Sequence, residues 1–371
     1  MLVPLLLTLV ASGFGLVLSG APANQAAIQS AKDGIDELLA ASTQPPFTVL
    51  QTIQQARQFI DDHDTFLFDC DGVLWRGEDG LLPGTIETLD LLEQHGKTCV
   101  FVTNNAAKSR AAYAKRFAGL GLERITIDQV VPSSFVAARW LAKHQPHVKA
   151  AFVIGADGLC DELREAGVRV LTAADFPGAD PSSNEASASL AMLAEAVDNQ
   201  PSVGAVVVGH DTRFNFKSLC LASLFLEREG VSYVATNPDA FDVVSSHRMP
   251  GNGCFVAAVS CAAGRPPDAI CGKPATALAD YLVDGFGLDP TRTCMVGDRL
   301  DTDIALARSG SGKPMSALLV LTGVATADDL VCEIQAAASE QSPEPSRPMP
   351  THAISHVGQL HELLASDVPS A

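Results

Sequence analysis

The chain is short of positive charge. Lys and Arg total 25 against 43 Asp and Glu, which gives a formal net charge of −18 over 371 residues. A surface that acidic is a poor match for a phosphate backbone, so no nucleic acid is expected as a partner. If such a chain handles an anionic substrate, it must gather its few cations at one site. Paired cysteine motifs are missing as well: the nine cysteines are an odd number, irregularly spaced, with no CxxC. That excludes a disulfide framework and favours free thiols in a soluble, reducing compartment such as cytoplasm or plastid. A zinc site lacks support, because His352 and His356 stand four apart without a cluster of Cys or carboxylates beside them.

Charge is absent altogether from the nearly all-apolar run at 2–18, and no Lys or Arg precedes Lys32. Ala21-Pro22-Ala23 resembles a small-residue cleavage site, which suggests a targeting or anchor-like segment. Pro4 and three glycines in the first 20 residues speak against a firm membrane helix. Residues 1–45 are therefore set outside the fold as an N-terminal extension.

What remains is rich in core material, with 47% of residues apolar. The length suits two compact units with extensions. Helical spacing at 51–60, 87–94 and 106–120 alternates with apolar strand-like runs at 65–68 and 98–102, and Gly121 closes the third helix. A second alternating run has strands at 150–154, 168–171, 203–208 and 231–235, with helices at 159–165, 216–229 and 252–263. Strands at 269–271, 293–296 and 317–321 follow, then a short strand and helix within 353–364. This pattern predicts an α/β fold: a parallel, Rossmann-like sheet with helices on both faces. The Pro/Ser-rich stretches 175–189 and 335–350 read as a surface excursion and a flexible insertion.

Four motifs stand at predicted strand ends, where parallel sheets bind ligands. Asp69-Cys70-Asp71-Gly72 sets two carboxylates so close that one anionic and one protonated is the favoured state, suiting a nucleophile and a general acid. Thr103-Asn104-Asn105 offers a hydroxyl and backbone N–H groups to phosphate oxygens, although these residues are also ordinary helix caps. Lys273, in Gly272-Lys273-Pro274, can neutralise a phosphoryl group. The run 296–303 places Asp298, Asp301 and Asp303 within six residues, a density that calls for a hard cation such as magnesium. Gly310-Ser311-Gly312-Lys313 is no phosphate loop, because Pro314 stands where Ser or Thr is required.

The order of these motifs resembles the haloacid dehalogenase superfamily of phosphatases, in the branch that contains phosphoglycolate, 4-nitrophenyl and pyridoxal phosphate phosphatases. The carrying residues are 68–75, 103–105, 209–211, 236–237, 251–253, 272–274 and 295–304. The resemblance implies that Asp69 attacks phosphorus and binds Mg2+, with Asp71 as general acid and base. It makes Asp71, through its backbone carbonyl, and Asp298 the further metal ligands, and Asp303 a support for them. Thr103, Asn104, Asn105 and Lys273 would hold the phosphoryl group. It also implies a core of residues 46–148 and 270–366, interrupted by an α/β cap at 149–269 lined by His210, Asp211, Asn237 and Asp242. The expected substrate is a small phosphorylated metabolite, 2-phosphoglycolate first and pyridoxal phosphate or 4-nitrophenyl phosphate next. A catalytically silent binding protein of the same fold is the weaker reading, and a homodimer through the cap is implied by resemblance alone.

Overall fold

The computed structural model describes residues 22–42, 45–77, 80–177, 186–244, 247–309, 312–337 and 347–365. The apolar run 2–18, Ala21, residues 178–185 and 338–346 of the two insertions, and Gly310-Ser311 lie outside the described residues.

The chain builds strands β1 (Thr48–Val49), β2 (Thr65–Phe68), β3 (Thr98–Thr103) and β4 (Val130–Pro132) first. It then leaves for β5 (Ala150–Ile154), β6 (Arg169–Leu171), β7 (Val203–Val208), β8 (Ser232–Ala235), β9 (Phe241–Val244), β10 (His247–Pro250) and β11 (Ala269–Ile270). It returns for β12 (Thr293–Gly297), β13 (Ser316–Val320) and β14 (His352–Ile354). Seven strands form one sheet in the order β1-β14-β13-β12-β2-β3-β4, and five form a second in the order β11-β8-β7-β5-β6. Every pairing within these two sheets is parallel, and β9 and β10 form a separate antiparallel hairpin. This is the α/β, Rossmann-like architecture that the alternation predicts.

Both faces of the larger sheet are dry, and the side-chain alternation of a strand explains why. Phe66 and Phe68 of β2 pack on one face with Cys294 and Val296 of β12 and with Leu318 and Val320 of β13. Leu67, Met295, Ala317 and Leu319 point the other way. Each buried Phe contributes about 1.5–3 kcal/mol, so the register of these central strands is strongly specified. In the smaller sheet, Ala151 and Val153 of β5 share the cluster of Leu67, whereas Phe152 and Ile154 join a third. The two sheets thus share one continuous apolar body.

Four elements depart from the expectations. The helix Pro22–Ala41 belongs to the packed structure, which corrects the placing of these twenty residues outside the fold. Its Ile28, Ala31, Ile35 and Leu38 are buried at helical spacing, a pattern hidden by the nearly all-apolar run before it. The helix expected at 106–120 starts only at Arg110, because the Ser109 hydroxyl caps it and residues 104–108 form a loop. Strand β4 and helix Ser133–His144 were not anticipated: three residues give no periodicity, and the helix is capped by no side chain. No described helix is long and apolar enough to cross a membrane. All nine cysteines are free thiols.

Candidate active site

Because the larger sheet is all parallel, the loops after β2, β3, β12 and β13 emerge along one edge. Strand β2 delivers Asp69, whose N–H still continues the ladder to the Val296 carbonyl at 2.9 Å. The chain then turns at Gly72, with φ of +90°, where a β-carbon would sit 2.6 Å from Asp298 Oδ2. Thus Gly72 permits both the turn and the approach of the second acidic motif. Trp75 donates its indole N–H to Asp71 Oδ1 at 3.0 Å, and the Arg116 guanidinium lies 4.3 Å over the Trp75 ring. Burial pushes the Asp71 carboxyl up, against the opposing pull of Arg116 and that hydrogen bond, which favours a proton on it.

Asp69, Asp298 and Asp303 are all buried, with one carboxylate oxygen from each within 4.8 Å of the others. Lys273, only 2% exposed, donates Nζ to Asp69 Oδ1 and to the Val102 carbonyl at 3.0 Å, and stands 2.8 Å from Asp303 Oδ1. Asp303 Oδ2 accepts the N–H groups of Asp298 and Arg299 at 3.1 and 3.0 Å. Asp298 Oδ2 accepts the Val324 N–H at 2.7 Å, while its Oδ1 is buried without a hydrogen-bond partner among the described residues.

One ammonium among three buried carboxylates leaves negative charge uncompensated, at a cost of several kcal/mol. The thermodynamic response is visible. Burial raises Asp69 to about 7 despite the counter-pull of Lys273, with the Asp303 charge adding to the rise. Asp298 is pushed well above the carboxylate range by burial and then by Asp303 and Asp69. Lys273 loses stability as a cation through burial, but Asp303 and Asp69 more than restore it, so it stays charged. An oxygen-only donor set, excess negative charge and an orphaned carboxylate oxygen fit a hard divalent cation. The residues present therefore fit magnesium.

The other expected residues divide. Thr103 ends β3 buried, its hydroxyl accepting the Asn105 N–H at 3.1 Å, and Asn105 Oδ1 accepts the Ala107 N–H at 3.0 Å. Asn104 faces away from these: its amide spans the Lys273 N–H at 2.7 Å, the Lys273 carbonyl at 3.0 Å and both Asp239 oxygens at 3.1 Å. Asn237 also donates to Asp239, at 2.9 Å. His210 packs on Phe255, Asp211 accepts from Arg213 at 2.9 and 3.1 Å, and Asp242 is exposed on β9. Sequence reasoning missed Asp239 and Arg299. Asp239 carries an upward shift through burial, and Arg299 donates to the Phe241 carbonyl at 3.2 Å. Asp239 stands two residues after the noted Thr236-Asn237 pair, the one signal that pointed toward it.

Comparison with known proteins bears on the same segments. Residues 66–169 match the family described as haloacid dehalogenase-like hydrolase, and 270–340 match a second described as HAD-hydrolase-like. Phosphoglycolate phosphatase 2 of Arabidopsis thaliana is 42% identical over 278 residues, covering 74% of this chain and 88% of that protein. The p-nitrophenyl phosphatase from Archaeoglobus fulgidus superposes with a TM-score of 0.64 at 27% identity, covering 81% of this chain and 99% of that one. A glycerol phosphate phosphatase from Mycobacterium tuberculosis, solved in complex with magnesium, gives a TM-score of 0.61 at 28% identity over 82% of this chain and 78% of its own.

Proposed function

The chain belongs to the haloacid dehalogenase-like hydrolases as a phosphatase, and from that premise we propose a magnesium-dependent phosphomonoesterase working through an aspartyl-phosphate, with 2-phosphoglycolate as substrate. The observation that carries the mechanism is the convergence of the Asp69, Asp298 and Asp303 carboxylates, two of which, Asp69 and Asp303, pair with buried Lys273. Asp69, Asp298 and the Asp71 backbone carbonyl would hold Mg2+, with Asp303 orienting the Asp298 loop and Lys273; the ion supplies charge that offsets repulsion between phosphate and carboxylate.

Asp69 attacks phosphorus through a carboxylate oxygen, and the bond to the leaving alkoxide breaks. Asp71, whose carboxyl burial pushes up, gives that oxygen its proton and frees the alcohol. The Asp71 carboxylate then takes a proton from water, whose oxygen attacks phosphorus and releases inorganic phosphate and the Asp69 carboxylate. Thr103 and Lys273 hold phosphoryl oxygens, and Asn104 fixes the Lys273 backbone. The choice of 2-phosphoglycolate is supported by likeness to the plant enzyme. A homodimer through the cap also belongs to this reading, supported by exposed Val243 and Met249 on the β9–β10 hairpin.

The test is phosphate release from 2-phosphoglycolate, pyridoxal phosphate and 4-nitrophenyl phosphate, with magnesium and with chelator. Turnover is expected with magnesium alone and fastest on 2-phosphoglycolate; negligible turnover of that ester would end the narrower claim. Asp69→Asn is expected to lose at least about a thousandfold in kcat while remaining folded by circular dichroism. Normal turnover in that variant would refute the nucleophile assignment.

A further inference from the structure

The helix Pro22–Ala41 takes no part in the chemistry above and precedes the matched segment 66–169. It nevertheless backs the two loops that hold the catalytic acids. Its Ile35 and Leu38 join Ala325, Ala327 and Leu330 in one buried cluster. On the same helix Gly34 leaves room for the neighbour: a β-carbon there would sit 3.4 Å from Ala327 Cβ and 3.6 Å from Leu321 Cδ1. At the start of the helix, buried Asn24 donates Nδ2 to the Leu81 carbonyl at 3.2 Å. Lys32 pairs with Glu362 at 3.2 Å.

The segment 321–327 grips Asp298. The Val324 N–H donates to its Oδ2 at 2.7 Å and the Ala325 N–H to its backbone carbonyl at 2.9 Å. Gly323 lies so close that any β-carbon would overlap the Asp298 carboxylate. The Thr322 hydroxyl donates to the Gly72 carbonyl at 2.6 Å, immediately after the Asp69–Asp71 pair. Leu81, held by Asn24, bridges to Trp75, whose indole holds Asp71. One helix therefore stands behind the aim of two catalytic carboxylates.

We propose that helix Pro22–Ala41 is a positioning element of the catalytic centre, fixing the direction of the Asp298 carboxylate through the close approach of Gly34 to Leu321 and Ala327 and the packing of Ile35 and Leu38 with Ala325, Ala327 and Leu330. This rests on Asp298 being a metal ligand, as assigned above. The physical reason is that Asp298 Oδ1 has no hydrogen bond of its own, so its position follows the loop that holds Oδ2. A displacement of about 1 Å in such a loop is enough to cost roughly a hundredfold in function.

The test is made in the full chain with Gly34→Leu, Gly34→Ala and, as a stability control remote from the loop, Phe59→Leu. Magnesium affinity of metal-free protein is read by calorimetry and exchange of the Val324 amide by hydrogen–deuterium methods, with kcat and KM measured alongside. Gly34→Leu is expected to weaken magnesium about tenfold, speed Val324 exchange and lower kcat with little change in KM. Gly34→Ala should stay within about twofold of wild type, since its methyl meets Ala327 at an ordinary contact distance. Phe59→Leu should lower Tm alone. If Gly34→Leu does not fold, Leu38→Ala, which removes packing from the same buried cluster, serves in its place. Wild-type magnesium affinity and Val324 protection in a folded Gly34→Leu or Leu38→Ala variant would overturn this proposal alone, as would equal weakening of magnesium by Phe59→Leu. Wild-type protein that binds no magnesium would overturn the site assignment and this proposal together.

Discussion

A buried carboxylate without a partner is a statement about what the protein has given up for function. Asp298 Oδ1 has no hydrogen bond, and the residue sits within reach of two further carboxylates. Replacing it by Asn keeps a carbonyl oxygen for the Val324 N–H and removes the cost of holding an acid where burial, Asp303 and Asp69 disfavour its ionised form. Asp298→Asn is therefore expected to stabilise the metal-free protein by about 1–3 kcal/mol, seen as a Tm higher by several degrees. The same change should abolish the rise in Tm on adding magnesium and lower kcat by at least about a hundredfold. A metal-free Asp298→Asn protein less stable than wild type would show that the triad is satisfied without a cation. At this scale much was legible in the sequence: Asp69, Lys273 and Asp298 each follow an apolar strand, and a parallel sheet brings such ends together. The embrace of Lys273 by Asp303 was not, because the 30 positions separating them carry no spacing rule that fixes one side chain on another.

Between elements, the seam of core and cap turns on a single amide. Asn104 accepts the Lys273 N–H at Oδ1 and donates Nδ2 to both the Lys273 carbonyl and the Asp239 carboxylate, and Asn237 closes the arrangement from the second sheet's side. Arg299 donates to the Phe241 carbonyl and lies 5.0 Å over the Phe241 ring, at the base of the hairpin. Asp239→Asn sets an N–H group against the N–H groups of Asn104 and Asn237, leaving one buried donor unpaired. The expected outcome is a fall of about tenfold in kcat/KM and a loss of about 1–3 kcal/mol by denaturant unfolding. Asp161→Asn, at an exposed site paired with Arg164, should change neither, and wild-type kinetics in Asp239→Asn would remove the seam from the account. Elements of this kind were the least readable. Strands β2 and β12 announce themselves as continuous apolar runs, since both faces are covered. The β9–β10 hairpin did not: its His247-Arg248-Met249-Pro250 strand is exposed throughout and has no core face to give it a period. Helix Pro22–Ala41 has such a face, but its meaning depends on partners some three hundred residues away in Ala325, Ala327 and Leu330.

For the whole molecule, two sets of buried ionisable groups pull stability in opposite directions with pH. His352, lowered to about 4 by burial and by the nearby His63 against a weaker pull from Asp62, is neutral in the fold. Its folded value lies below the unfolded one near 6.5, so the stability it contributes is complete above pH 6.5 and lost as pH falls toward 4. The full shift corresponds to at most about 3 kcal/mol, less once partial exposure and screening are counted. Asp69 has the contrary sign: raised from 3.8 to about 7, it favours the fold below 3.8 and loses that contribution as pH rises through 7. Magnesium binding requires the Asp69 carboxylate, so the ion must displace a proton from Asp69 at pH 5 but hardly any from it at pH 8. The increase in Tm on adding saturating magnesium should therefore grow between pH 5 and pH 8, while His352→Gln should flatten only the acid side of the metal-free profile. An increment from magnesium that is the same at both ends would mean that the ion binds elsewhere than against Asp69. An unchanged acid limb in His352→Gln would assign that limb to other groups. Because the two tests act on opposite limbs, a single set of thermal melts separates the cost of folding this chain from the cost of preparing its site.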